Sequence, residues 1–213
     1  MSPDFDRLRE EMVERQVRAR GVASPRVLHA MGHVHREHYV PQKLSARAYE
    51  DSALPIEEGQ AISQPYIVAL MIEALGLVGD ERVLEIGTGS GYAAAVLAEL
   101  AREVWTIERH ERLARTAADR LESDGYANVH VRHGDGTLGW PEQAPFDAIV
   151  VAAVGPSVPE TLRQQLAIPG RLVMPIGAVA GAQRLERITR TAADKFGQES
   201  LASVRFVPLV GPC

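Results

Sequence analysis

The feature that most constrains this chain is Val83-Leu84-Glu85-Ile86-Gly87-Thr88-Gly89-Ser90-Gly91-Tyr92, an apolar run that meets three closely spaced glycines before a helix-like segment. Glycine accepts backbone conformations barred to other residues and lets the chain approach a ligand closely. A helix that begins beyond such a turn aims free N–H groups at a carboxylate or phosphate. The dinucleotide fingerprint wants G-x-G-x-x-G, but three residues beyond Gly89 stands Tyr92, and the third glycine comes one place early at Gly91. The spacing tilts away from a nicotinamide cofactor. Alone, the triplet also fits a plain strand-to-helix turn.

The turn heads an alternation. Arg82–Ile86, Glu103–Ile107, Val129–Arg132, Ala148–Ala152 and Arg171–Pro175 are short runs rich in branched or aromatic residues, as strands are. Between them, Tyr92–Leu100, Glu111–Asp124 and Pro159–Leu166 read as helices. Alternation of this kind implies right-handed crossovers, hence an α/β, Rossmann-like fold: a mostly parallel central sheet with helices on both faces. Upstream, Phe5, Leu8, Met12 and Val17 recur at near-helical spacing and predict an amphipathic helix to about Arg20, ended by Gly21. Further helices are expected after Ser24-Pro25 and from Tyr66 to Leu75. Residues 35–65, with Pro41, Pro55, Gly59 and Pro65, lack periodicity and read as a long irregular segment of the kind that carries function. Leu185 to Val210 adds two strands, and the break at Gly177–Gly181 permits a hairpin, so an antiparallel edge strand is expected near the C-terminus. The 213 residues fit a single domain. Residues 1–65 would supply N-terminal helices and a substrate and cofactor loop, and 66–213 the cofactor-binding core.

Composition removes several function classes. A net charge of -5 and a pI near 5.8 argue against nucleic acid, whose partners concentrate lysine and arginine on one face. No stretch approaches the roughly 18 apolar residues that cross a bilayer, so no membrane partner is expected. The N-terminus is charged throughout and does not resemble an export signal. The single cysteine is Cys213, so no intrachain disulfide can form and a reducing, cytoplasmic location is expected.

Two further strand ends carry suitable chemistry. Thr106-Ile107-Glu108 follows the first glycine by about 20 residues, where an acidic side chain accepts hydrogen bonds from ribose hydroxyls. The plain reading is a surface glutamate paired with Arg109 or Arg112. A third strand leads to Gly134-Asp135-Gly136, whose aspartate suits an adenine amino group or, as a bare GDG, a turn. Together, three strand ends in order point to a nucleoside site.

These segments, with Ala48-Tyr49-Glu50-Asp51, Leu54-Pro55-Ile56, Gly59-Gln60, Ile62-Ser63-Gln64-Pro65, Ala144-Pro145-Phe146-Asp147-Ala148-Ile149 and Val204-Arg205-Phe206-Val207-Pro208-Leu209, resemble the protein-L-isoaspartate O-methyltransferases from Val13 to Leu209. The glycine loop is shared by many enzymes. Ile-Ser-Gln-Pro and Phe-Val-Pro-Leu are more specific, because they lie outside the general cofactor fold. The resemblance implies a class I methyltransferase fold, S-adenosyl-L-methionine as donor and S-adenosyl-L-homocysteine as product. It implies damaged proteins and peptides carrying L-isoaspartyl residues as partners, and a monomer. Its cofactor set is Gly87, Thr88, Gly89, Glu108, Asp135 and Gly136, to which Ile62, Ser63, Gln64, Glu85, Gly91 and Arg109 are added. Ser63 corresponds to the family's active-site serine, and Val207 and Leu209, with Ile56 and Ser63, would flank the substrate.

The chemistry is consistent with that assignment. A carboxylate is ionised at pH 7 and attacks a sulfonium methyl without a general base. The protein must supply in-line placement, worth roughly 7 to 11 kcal/mol of the barrier. Ser63 would orient the carboxylate or cofactor by hydrogen bonding, or cap the helix that begins near Pro65. The methyl ester then yields a succinimide, whose hydrolysis regenerates some normal aspartate.

Several positions depart from the family's usual residues: Ala61 and Ala152, where threonine is common, Glu57 for glycine, His35 for proline, and Val154-Gly155-Pro156 for an alanine- and proline-rich turn. They bear on peptide preference more than on methyl transfer. They keep open a dedicated aspartyl O-methyltransferase that forms a succinimide in one biosynthetic peptide, and a non-catalytic S-adenosylmethionine-binding module. His29, His33, His35 and His38 read as surface or loop histidines with no metal site, and Trp105 and Trp140 as core or pocket wall.

Overall fold

The computed structural model describes residues 3–211; Cys213, on which the disulfide argument turns, lies outside them. Its chain opens with α1 (Phe5–Glu11), capped by Asp4, which continues through a π-helical turn at Met12–Val17 and a tight turn at Arg18–Arg20 to Gly21. Gly21 ends it in the left-handed region at φ 99°. Next, α2 (Pro25–His33) starts where Ser24 accepts from Val27 N–H and proline occupies the first turn. Residues 35–62 form short turns and a two-stranded hairpin, β1 (Leu54–Pro55) with β2 (Ala61–Ile62), before α3 (Pro65–Leu75). The long segment without periodicity is thus irregular, as expected.

The core alternates β3 (Arg82–Ile86), α4 (Tyr92–Ala98), β4 (Glu103–Glu108), α5 (Glu111–Ser123), β5 (Val129–His133), β6 (Phe146–Val151), α6 (Glu160–Gln165) and β7 (Leu166–Gly177). It closes with β8 (Gln183–Ala192) and β9 (Lys195–Val204). The seven-stranded sheet runs β5-β4-β3-β6-β7-β8-β9, parallel from β5 to β7. The β7–β8 and β8–β9 pairs are antiparallel, so the expected antiparallel edge is present and β8 is the reversed strand. Of the strand starts from β3 to β7, two differ from the sequence reading: β7 begins at Leu166, directly after α6, and β6 begins at Phe146. The proline and glycine of Ile168-Pro169-Gly170 hid the start of β7, since neither favours a strand interior.

Successive side chains of a strand face opposite ways. Val83, Val104, Ala148 and Val173 therefore join a core with Met12, Ile72 and Leu97, while Leu84, Trp105, Ile149 and Leu172 join a second with Phe146 and Leu162 on the other face. Strand order reverses beside β3, which has β4 on one side and β6 on the other. Ligands of open α/β sheets bind beyond the strand ends at such a switch point. Among the described residues, no helix is long and apolar enough to cross a membrane.

Candidate active site

Beyond β3 the chain turns through Gly87, Thr88 and Gly89. Gly87 N–H donates to Ile107 O (2.8 Å), so the turn is anchored on β4. Gly89, at φ 53°, turns its N–H to Glu108 Oε2 (2.9 Å), while Oε1 accepts from His110 N–H (2.9 Å). A carboxylate offers about four lone-pair positions, so two remain for outside donors. Glu108 is thus fixed by backbone and still able to accept a pair of hydroxyls. It has no partner in Arg109 or Arg112, which removes the surface ion-pair reading.

Beneath it runs a buried polar chain that the sequence reading missed. Thr88 Oγ1 lies 2.6 Å from Thr106 Oγ1, which donates to Glu85 Oε2 (2.6 Å). Glu85 and Thr106 are neighbours across parallel strands, both essentially sealed from water. Burial pushes the Glu85 carboxyl up to about 8, with the Thr106 bond opposing and the Glu108 charge adding. Two polar residues at the same register of apolar strands were the available signal.

These groups border a cavity of about 400 Å³. The expected residues Ile62, Ser63, Glu85, Gly87, Thr88, Gly89, Glu108, Arg109, Gly136, Val207 and Leu209 all line it. Ala152, expected near the substrate, also does, as do Tyr92, Ile107 and Ala153, which were not anticipated as cofactor or substrate contacts. The C-terminal segment reaches this wall because Val154 N–H donates to Val207 O and Leu209 N–H to Val154 O, each at 2.8 Å. Gln183 then clamps Phe206, its Oε1 accepting from Phe206 N–H at 2.6 Å. A second cavity, of about 580 Å³, opens alongside and shares Ala61, Ser63, Ala152 and Val207 with the first.

Four expected contacts stand elsewhere. Gln64 faces the second cavity and donates to Asp51 O (3.1 Å) and Oδ1 (2.7 Å). Gly91, at φ 94°, serves helix packing: a side chain there would press on Ala117 and Leu121 at about 3.5 Å. Ile56 is buried behind the loop and would touch a side chain at Gly89, so it backs the wall without lining it. Asp135 lies outside the cavity lining, because its Oδ1 accepts from Thr137 N–H (2.8 Å) and Oγ1 (2.7 Å) and caps the turn Gly136–Leu138. The capping alternative for Ser63 fails too: Gln64 is the N-cap of α3, with no side-chain cap.

Trp105 packs edge-on to Phe146 (5.7 Å) and under Arg82 and does not reach the cavity. His29 and His33 stack at 6.2 Å on one helix face, as their spacing suggested. His35, Glu37 and His38 bring ligand atoms within 4.8 Å of one another. Arg9 nevertheless lies 3.1 Å from His35 Nδ1 and 3.8 Å from Glu37 Oε1, so a guanidinium already holds that corner.

The sequence model of the family described as protein-L-isoaspartate(D-aspartate) O-methyltransferase matches residues 7–212. The chain belongs to this family. A protein-L-isoaspartate O-methyltransferase 1 of Rhodopseudomonas palustris (strain HaA2) is 61% identical over 207 residues, covering 97% of this chain and 84% of that relative. A protein-L-isoaspartate O-methyltransferase 2 of Marinobacter nauticus is 57% identical, covering 98% and 95%. A solved protein-L-isoaspartate O-methyltransferase superposes with a TM-score of 0.85 at 30% identity, covering 95% of this chain and 66% of that longer one. A Plasmodium falciparum structure described as a member of the same family, in complex with S-adenosyl-L-homocysteine, gives a TM-score of 0.83 at 25% identity and covers 95% and 98%.

Proposed function

We propose that this member of the protein-L-isoaspartate O-methyltransferases esterifies the free carboxylate of L-isoaspartyl residues in damaged proteins and peptides at the junction of its two cavities. S-Adenosyl-L-methionine supplies an electrophilic methyl group and is released as S-adenosyl-L-homocysteine. The first cavity fits that donor chemically. Glu108 keeps lone pairs for ribose hydroxyls, the Gly87–Gly89 backbone permits close approach, and Glu85 offers a latent negative charge toward a cation. Gly136, Ile62 and Arg109 would complete that site. Asp135 would meet an adenine amino group only through Oδ2, the oxygen its cap leaves free.

The observation that carries this reading is the shared wall: Ser63, Ala61, Ala152 and Val207 border both cavities, so an acceptor in one can meet a donor in the other. The acceptor oxygen attacks the methyl carbon as the carbon–sulfur bond breaks onto sulfur, and no proton moves. The protein therefore contributes alignment and exclusion of water. Ser63, whose hydroxyl bonds no protein group among the described residues, would orient the carboxylate, with Val207 and Leu209 against the peptide and Ile56 behind them. The neighbouring backbone amide nitrogen then attacks the ester carbonyl, losing its proton and expelling methanol, and closes a succinimide without further enzyme chemistry. Methyl label from the donor should appear on an isoaspartyl peptide and hardly at all on its aspartyl twin. Equal labelling of both would overturn the reading.

A single methyltransferase domain over 1–213, acting as a cytoplasmic monomer, completes the proposal. Its one cysteine suits a reducing compartment.

A further inference from the structure

Arg36 is a charged side chain with no exposed surface. It opens the short turn Arg36–Tyr39 and points inward. Its Nε donates to Ala48 O (2.7 Å) and Nη2 to Ser63 O (2.9 Å), while its plane lies 4.7 Å over the Tyr92 ring. Nη1 is buried without a partner. Among the described residues no carboxylate pairs with it: the neighbouring Glu37 is turned to Arg9 and His35. Burial pulls its pKa below the ordinary arginine value, with the tyrosines Tyr92 and Tyr49 opposing. Arginine nonetheless stays protonated at any physiological pH.

A buried cation with no counter-ion is costly, and a well-packed apolar side chain in its place is often neutral or stabilising. Stability is thus a poor account of it. What arginine offers here is a rigid planar fork whose N–H groups reach two carbonyls at once. Those carbonyls belong to segments 48 and 63, and the stacked ring belongs to Tyr92, a wall of the first cavity. The fork therefore ties the Ser63 peptide to that wall.

We propose that Arg36 is a positioning residue for methyl transfer, holding Ser63 through its carbonyl so that the hydroxyl sits at the junction of the two cavities. The proposal rests on the role given to Ser63 above. Alignment reactions are sensitive to such support, since a shift of about 1 Å can cost about a hundredfold in rate. Charge alone cannot replace the fork, because an ammonium is a point donor on a flexible stem.

The test uses Arg36→Lys, which keeps the charge, and Arg36→Gln, which keeps a planar donor, each alone and combined with Ser63→Ala. Arg36→Lys should lower kcat/KM for an isoaspartyl peptide by up to about tenfold, no more than Ser63→Ala does, chiefly in kcat, with the S-adenosyl-L-homocysteine Kd within about threefold of the parent. In the Ser63→Ala background the same change should cost less than about twofold, the non-additivity of residues that act as a unit. Hydrogen exchange on the cofactor-free Arg36→Lys protein should speed up at 61–66 and stay unchanged at 83–87 and 104–108. Full additivity, exchange rising uniformly through the sheet, or an unchanged kcat/KM would overturn the proposal. If Arg36→Lys does not fold, Arg36→Gln is read the same way; failure of both to fold assigns Arg36 to stability and also overturns it. Ser63→Ala with no effect would remove the Ser63 reading and this inference together, whereas a damaged Ser63→Ala with an additive Arg36→Lys removes the inference alone.

Discussion

The wall made by β3 and β4 is continuous parallel sheet, whereas the wall facing it is assembled from residues 61–63 and 207–209, which meet across more than half the chain. On the first, Glu108 and the glycine turn are held by backbone N–H groups from residues 89 and 110. On the second, position depends on a few long-range bonds: Arg36 to Ser63, the Gln183 amide to both backbone groups of Phe206, and the Val154 backbone to Val207 and Leu209. A wall within a continuous sheet has few ways to move, and a wall that hangs in part on the side chains of Arg36 and Gln183 can be altered at those residues. Donor affinity and acceptor selectivity should therefore separate under mutation.

The strongest attempt to break that separation is Glu108→Ala. Charge-assisted hydrogen bonds contribute roughly 1.5 to 3 kcal/mol, so calorimetry should find the donor Kd raised about ten- to a hundredfold while the far-UV spectrum holds. An unchanged Kd would mean that the ribose contact lies elsewhere. On the opposite wall, Ser63→Ala should cost about tenfold in kcat/KM with donor affinity untouched, and a matching loss of donor binding would erase the distinction between the walls.

The Glu85 carboxyl supplies a pH test of the first wall. Its pKa in the fold, about 8, stands above the ordinary carboxylate value of 4.5, so the native state holds a proton that the unfolded chain releases between those values. The associated stability is complete below about pH 4.5 and is lost as pH rises toward 8, with a slope of at most about 1.4 kcal/mol per pH unit. Chemical denaturation of cofactor-free Glu85→Gln across this range should flatten that slope, and an identical slope would show that another group titrates. Smallest is Ala61→Thr, at the shared opening. It should shift peptide KM by about two- to fivefold and leave donor Kd alone. Peptides of different sequence all responding alike would argue that Ala61 does not set preference.

Much of the first wall was legible before any coordinates. Val83 to Ile86 reads as a strand because it is apolar and bounded by glycine, and Glu108 follows at the distance a βαβ unit imposes. The cap made by Asp135 was not legible, because an aspartate before Gly136 serves a cap as readily as a ligand, and only the position of Thr137 shows that Oδ1 is taken and Oδ2 left free. The packing of Gly91 was not legible either, because a glycine in contact with Ala117 and Leu121 looks the same in sequence as one needed for a ligand. Gln64 adjoins Ser63 but turns to Asp51, a partner that its own segment does not name.

By itself, the order of residues determined the alternation of strands and helices, the glycine turn after β3 and the family to which the chain belongs. Periodicity and backbone conformation are local properties and can be read locally. The tertiary structure alone decided that Ser63 and Val207 border the same two cavities, that Glu85 lies sealed beside Thr106, and that Arg36 is buried without a counter-ion. Each of these depends on which distant surfaces exclude water from one another. Side-chain identity constrains that outcome, but only the packed whole resolves it.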